Sequence, residues 1–242
     1  MVNCVVSMFD ESGNALRPWA EAGYICYAFD ILNEFRIEHV GCGVIIYEYA
    51  DFHDPVYISK IVSLHPVFLM GFPPCDDLAV SGTKHWVKKA LIDPLFQDKA
   101  VSLVMTVPFV GMLIGSPWFF ENPVGALSSK YRKPDFYFDP CDFGGYLPID
   151  DVHPRWPDHI TPRDAYTKKT GIWFGNGFIE PGRLPVEPLI LENDNGVRGS
   201  QQFMKLGGKS KKTKQIRSEG PRGFLKAVFL ANHQHLVATS IQ

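Results

Sequence analysis

The sequence predicts an α/β domain with a largely parallel sheet, because short apolar runs alternate with amphipathic helical stretches through the first half of the chain. The 242 residues are 45% hydrophobic and 21% charged, so the chain can bury a full core and is neither disordered nor fibrous. A formal net charge of -2 excludes a globally basic nucleic-acid binder and leaves that role to a local basic patch.

The predicted strands end in polar, Gly-rich or Pro-rich loops. They cover residues 2–8, 24–29, 44–49, 66–70, 118–120 and 166–174. Helices are predicted over 15–22, 84–90 and 98–107, and from Pro221 to about residue 231. Because open α/β sheets bind ligands at the carboxyl ends of their strands, the loops after the first five strands are the predicted site.

The five cysteines are odd in number and widely spread, which predicts reduced thiols and a cytoplasmic protein. The first residues carry no basic segment and no long apolar run, so no export signal is expected. The most apolar stretch, residues 101–115, contains Pro108 and is shorter than the ~20 residues of a membrane helix. It is therefore predicted to be core, and no membrane association is expected.

Two residues are candidates for chemistry. Cys75 follows two prolines at the end of a predicted strand, a rigid exposed position that suits a nucleophile, although most free thiols are simply buried. Glu121 follows an aromatic run, where partial burial of a carboxyl group favours its protonated form. A solvated loop carboxylate is the plain alternative for Glu121.

Other chemistries fit the sequence less well. A zinc deaminase needs a second cysteine where this chain has Leu78. Cys141, His153 and His159 match no zinc-binding spacing, so no metal is predicted. The basic stretch 205–214 lacks the first glycine of a phosphate-binding loop, which argues against nucleoside triphosphate binding.

The order of these features resembles the DNA cytosine-C5 methyltransferase family, over most of the chain. The most specific match is Pro-Pro-Cys-Asp-Asp-Leu-Ala-Val-Ser-Gly at 73–82, and Glu121-Asn122 matches the second catalytic motif. The loop from Phe9 to Gly23 resembles the first cofactor motif, although Glu11 replaces a glycine of that motif. The short chain makes it similar to compact, phage-type members of the family.

The resemblance implies a fold, a cofactor and a set of roles. The fold would be the Rossmann-like sheet of S-adenosylmethionine-dependent methyltransferases, with helices on both faces and a small loop-rich C-terminal lobe. The enzyme would methylate C5 of cytosine in DNA, with catalytic residues Cys75, Glu121 and Lys169. The cofactor S-adenosylmethionine would be bound by Phe9, Ser12, Gly13, Asp30, Asp51 and Pro73.

The resemblance also implies a division of the chain and a nucleic-acid partner. Residues 1–174 would form the catalytic core, 175–215 a short recognition region with a flexible basic loop, and 216–242 a C-terminal helix returning to the core. Nucleic-acid phosphates would be bound by Lys168, Lys209, Lys211, Lys212 and Lys214. Because no large recognition domain fits, a protein partner for target recognition is an option. The alternatives are a free cytosine nucleotide as substrate, a modified cofactor, or an inactive nucleic-acid-binding relative.

Overall fold

A mixed eight-stranded sheet organises the chain in the computed structural model, which describes residues 3–192, 194–206 and 210–239. Its order is β3-β4-β2-β1-β5-β6-β8-β7. The strands are β1 (Cys4–Met8), β2 (Ile25–Asp30), β3 (Arg36–Val40), β4 (Gly43–Tyr49), β5 (Phe68–Gly71), β6 (Trp118–Pro123), β7 (Phe136–Phe138) and β8 (Thr170–Gly175). A separate antiparallel pair is formed by β9 (Leu191–Glu192) and β10 (Arg198–Gly199).

The direction in which strands are added reverses at β1. From β1 the chain adds β2 and β4 on one side, all parallel, and then returns to add β5 and β6, also parallel, on the other side. β3 is antiparallel to β4, and β8 is antiparallel to β6. The strand order reverses between β1 and β5, and open α/β sheets bind ligands at the strand ends beside such a switch point. The predicted fold class, an α/β Rossmann-like sheet flanked by helices, is confirmed.

The helices of the described residues are α1 (Arg17–Glu21), α2 (Pro55–Ser63), α3 (Trp86–Ile92), α4 (Phe96–Val104), α5 (Thr106–Ile114), α6 (Leu127–Lys130), α7 (Gln201–Lys205), α8 (Lys211–Ser218) and α9 (Arg222–Thr239). Of these, α1 and α5 pack on opposite faces of the large sheet. On one face the Trp19 ring of α1 stacks on Phe68 at 4.7 Å between centroids. On the other face α5 approaches so closely that a Cβ on Gly71 would lie 2.5 Å from Val107.

Several elements differ from their predictions. β3, β7 and α2 were not predicted, and β6 runs on through Glu121 and Asn122 because antiparallel β8 pairs with its whole length. Glu121 therefore lies inside a strand. The strand predicted at 166–174 begins only at Thr170. Asp54 and Pro55 are the N-cap and first residue of α2, and the Asp54 carboxylate accepts a hydrogen bond from the Val56 N–H at 2.9 Å.

The apolar stretch predicted to be core is buried on one side only. Phe96–Ile114 is long and apolar enough to cross a membrane by length and composition alone, and 28% of that window is buried. It consists of two helices that join at Met105. In α5, Val107 and Val110 are buried whereas Met112 is exposed, because only one face of the helix meets the sheet.

The chain divides into two compact units. The first contains Met1–Tyr137 and Thr170–Phe178, and it holds nearly all of the large sheet. The second contains Phe138–Lys169 and Ile179–Gln242 and is rich in loops. Within the second unit, Ile160, Tyr166, Leu206 and Ile216 form a small apolar cluster. The predicted three-part functional division stays a prediction.

Candidate active site

The Pro73-Pro74-Cys75 segment leaves the sheet at the switch point. Met8 of β1 pairs with Gly71 of β5, which pairs in turn with Phe120 of β6. The segments that follow these three residues therefore emerge side by side. Cys75 is half-buried, and all five cysteines of the chain are thiols outside any disulfide.

The Cys75 segment is held to β6 and its continuation on both sides of the thiol. Before it, the buried Asn122 side chain donates to the Pro73 carbonyl at 3.2 Å. After it, backbone hydrogen bonds join 78–80 to 124–126: the Ala126 N–H donates to the Leu78 carbonyl at 2.8 Å and the Val80 N–H to the Val124 carbonyl at 3.0 Å. We call these contacts the Cys75 clamp. Glu121, half-buried, directly precedes Asn122 on the same strand.

Two local features shape the surroundings of the thiol. The Cys75 carbonyl accepts hydrogen bonds from the backbone N–H groups of Leu78 and Ala79, at 3.0 and 2.8 Å, which closes a tight turn. Asp77 forms an ion pair with Lys89 of α3. The negative charge of Asp77, two residues after Cys75, is therefore paired.

Asp30 and Asp51 lie together at the ends of β2 and β4. The Ala50 N–H donates to the Asp30 carbonyl at 3.0 Å, which brings the start of the next loop beside β2. One Asp30 carboxylate oxygen accepts from the Leu32 N–H at 2.8 Å. Burial raises the pKa of Asp30 to about 6, and the negative charges of Asp10 and Glu11 add to that rise.

The loop after β1 is folded around Asp10, a residue that the sequence did not single out. Asp10 is buried, and its carboxylate accepts hydrogen bonds from Ser7, Ser12 and the Gly13 N–H. Gly13 has φ +67, and a Cβ there would lie 2.5 Å from the Tyr47 hydroxyl, so glycine is required on both grounds. The hydroxyl of Ser12 donates to Asp10, inside the loop.

The strand ends carry groups that fit S-adenosylmethionine. Ionised Asp30 and Asp51 can accept hydrogen bonds from ribose hydroxyls and an adenine amino group. The Phe9 ring contacts the Phe52 ring at 4.5 Å, which forms an apolar wall beside Asp51. Among the residues of this loop, positive φ occurs at Phe9 and Gly13 and not at Glu11, so the backbone at position 11 does not require glycine. Phe9, Ser12, Gly13, Asp30, Asp51 and Pro73 all lie at or beside the ends of β1, β2, β4 and β5.

The predicted phosphate-binding lysines belong to the second unit. The stretch expected to be a flexible loop contains α8, which is capped where the Ser210 hydroxyl accepts from the Thr213 N–H at 3.1 Å. Burial of Thr213 and Ile216 holds one face of α8 and explains the helix. The opposite face exposes Lys211, Lys212 and Lys214, whereas Lys209 lies outside the described residues.

Lys168 and Lys169, the two residues before β8, also belong to the second unit. The Lys168 ammonium donates to the Arg217 carbonyl at 2.8 Å, at the end of α8. Burial raises the pKa of Asp139, a rise opposed by a hydrogen bond from the Lys168 backbone and by the charge of Lys169. The catalytic role of Lys169 stays a prediction.

Comparisons with known proteins give a partial likeness to a solved structure and no family. No protein-family model matches it, and no curated protein matches it. A solved structure from E. coli is similar in part, a prophage-encoded protein described as a candidate DNA modification methyltransferase. At 14% identity and a TM-score of 0.42, the match covers 72% of this chain and 46% of that one, so this chain spans less than half the length of that structure. The assignment of the site rests on the contacts described above.

Proposed function

We propose that the protein transfers a methyl group from S-adenosylmethionine to C5 of cytosine in DNA, through a covalent adduct between Cys75 and C6. The observation that carries the proposal is the Cys75 clamp. It fixes a Pro-Cys turn beside the strand that bears Glu121, at the switch point of the sheet. A nucleophile and an acid held on adjacent segments are what attack on an electron-poor ring needs.

The chain's residues have the following parts in this reaction. The Cys75 thiolate forms a bond to C6, and the electrons of the C5–C6 double bond move toward C5. Glu121 binds N3 and the amino group of the flipped base and delivers a proton to N3, which stabilises the adduct. S-adenosylmethionine supplies the methyl group as an electrophile on a sulfonium centre. Once C5 carries the methyl group, water removes the C5 proton, the electrons of that C–H bond restore the C5–C6 double bond, the Cys75 thiolate leaves, and the N3 proton returns to Glu121.

Other residues hold S-adenosylmethionine and position Cys75 and the base. Asp30 accepts from ribose hydroxyls, Asp51 accepts from the adenine amino group, and Phe9 with Gly13 lines the rest of the site. Asn122 keeps Pro73 and therefore Cys75 in place. Lys169 orients the base or its phosphate.

The nucleophile is tested by trapping. DNA that contains 5-fluorocytosine should form a stable covalent complex in the presence of S-adenosylmethionine, because C5 then carries fluorine in place of the proton that must leave. Cys75→Ser should abolish the adduct, and Glu121→Gln should slow its formation by at least about 100-fold, a typical contribution of acid–base catalysis. Denaturing electrophoresis measures both.

Cys42→Ser is the matched control, because Cys42 is an exposed thiol on the β3–β4 turn. An adduct that survives Cys75→Ser, or one lost in Cys42→Ser, contradicts the assignment. Tritium transfer from labelled cofactor to DNA, RNA and free nucleotides in parallel identifies the substrate class.

The exposed face of α8 is proposed to bind the DNA backbone. Replacing its lysines by glutamine should flatten the plot of log affinity against log salt by roughly 0.9 per lost phosphate contact on duplex DNA. The variant is the triple substitution of Lys211, Lys212 and Lys214. The control changes net charge equally at exposed lysines elsewhere, Lys88, Lys133 and Lys226. Equal slopes for the two triple variants would contradict the binding of DNA phosphates by α8.

A further inference from the structure

Asp10 uses every one of its polar groups within the fold. Its carboxylate accepts from the Ser7 hydroxyl at 2.9 Å, the Ser12 hydroxyl at 3.0 Å and the Gly13 N–H at 2.7 Å. Its backbone N–H donates to the Phe29 carbonyl at 3.1 Å, and its carbonyl accepts from the Asn33 side chain at 3.2 Å. Burying a carboxylate is costly unless it is fully hydrogen-bonded, so this set of contacts indicates a specific role.

The contacts of Asp10 join the ends of two strands. Ser7 belongs to β1, and Phe29 belongs to β2. Asn33 adds a second bridge, because its amide group also donates to the Ala28 carbonyl at 3.0 Å. The side chain of Asp10 thus fixes the loop to β1, while its backbone fixes the same loop to β2.

The residue before Asp10 is held in a strained conformation. Phe9 has φ +59, a left-handed conformation that is unfavourable for a residue with a side chain. In this conformation its ring contacts Phe52, the residue after Asp51. Such strain persists only where the surroundings enforce it, and the contacts of Asp10 are the ones adjacent in the chain.

We propose that Asp10 is a positioning residue for the cofactor: its buried carboxylate holds the 9–13 loop in the shape that sets Phe9 and Gly13 toward S-adenosylmethionine. The inference rests on the proposed function. Asp10 acts through its neighbours, because its own carboxylate is buried and hydrogen-bonded inside the loop.

The test compares Asp10→Ala with Asp10→Asn. The amide has the shape of the carboxylate, still accepts from the Gly13 N–H, and can donate to the Ser7 hydroxyl. We expect Asp10→Ala to lose about 100-fold in affinity for S-adenosylhomocysteine by calorimetry, and Asp10→Asn to lose less than about 10-fold. In the ligand-free protein, hydrogen exchange at the Gly13 amide should accelerate in Asp10→Ala and remain slow in Asp10→Asn.

The control is Asp150→Ala, which removes an exposed carboxylate in the second unit. Wild-type affinity in Asp10→Ala, or unchanged exchange at Gly13, overturns the positioning role. Rescue by Asp10→Asn is the readout that separates loop shape from a general loss of stability.

Failure of the proposed function would be visible separately. If the wild-type protein binds neither S-adenosylmethionine nor S-adenosylhomocysteine, the cofactor assignment fails for every variant, whatever the exchange data show. If Asp10→Ala does not fold, Ser7→Ala and Ser12→Ala each remove one hydrogen bond from the carboxylate. Each should then weaken binding by up to about 10-fold, and no change in either variant overturns the inference.

Discussion

The proposed site has two halves along the edge of the sheet, and different interactions hold them. At the ends of β1, β2 and β4 the loops are fixed by buried or half-buried carboxylates, above all those of Asp10 and Asp30. At the ends of β5 and β6, the Cys75 clamp is fixed mainly by backbone hydrogen bonds and by one neutral side chain, Asn122. The ends of β1, β2 and β4, which we call the cofactor half, should therefore be sensitive to changes in the charge of these side chains. The ends of β5 and β6, which we call the catalytic half, should be sensitive to changes in the distance between two backbone segments.

This difference suits the two proposed tasks. A nucleophile must be placed to within a fraction of an ångström whatever its protonation state, and backbone pairing provides that rigidity. A cationic cofactor with several hydroxyl and amino donors is better met by acceptors that carry negative charge. Each half should consequently fail under a different perturbation.

The largest expected effect is on the catalytic half. A Cβ on Gly125 would lie 1.9 Å from the Leu78 carbonyl oxygen, so Gly125→Ala must push the two segments of the clamp apart. We expect a loss of about 3 kcal/mol in the free energy of unfolding, measured by urea denaturation. Adduct formation with 5-fluorocytosine DNA should fall in parallel, while cofactor affinity changes little.

Gly115→Ala is the matched control, because Gly115 has open space around it and φ +71. Only the left-handed conformation is penalised there, at about 1 kcal/mol. A Gly125→Ala protein as stable as Gly115→Ala would mean that the clamp is not a tight contact between backbones.

The sequence predicted the parts of the site that depend on local pattern. Strand ends and a Pro-Cys turn are visible as short runs of residue types, and parallel topology then brings those ends to one edge. The Cys75 clamp could not be predicted from local sequence pattern because Asn122 and Pro73 are 49 residues apart. Only the register of β5 against β6 brings them together.

The other elements and residues that were not predicted from the sequence also have physical explanations. β3 is an edge strand with a polar sequence, so it lacks the apolar run by which buried strands are found. Helix α8 was expected to be a loop because its charge dominates its composition, and its two buried residues become evident only with their partners. Helix α2 could have been found, since Asp54-Pro55 is a common helix start. Asp10 was hidden among turn-forming residues, although serines three positions before and two after it offered a signal.

A smaller effect, on the cofactor half, should appear as pH dependence. Asp30 must be ionised to accept from two ribose hydroxyls, and its pKa of about 6 means that it gains protons as the pH falls through that value. The affinity for S-adenosylhomocysteine should therefore rise by up to about tenfold between pH 5 and pH 7, because the ionised fraction rises by that factor. Calorimetry across this range measures it.

Two variants sharpen this comparison. Asp30→Asn should bind more weakly and show a flat profile between pH 5 and pH 7. Asp164 is a buried carboxyl group of the second unit whose pKa burial also raises to about 6, so Asp164→Asn should leave the wild-type profile unchanged. The facing groups are Asp10 and Glu11, and burial also raises the pKa of Asp10. A slope that persists in Asp30→Asn would assign the titration to Asp10, and Asp30 would then not be the acceptor whose ionisation controls binding.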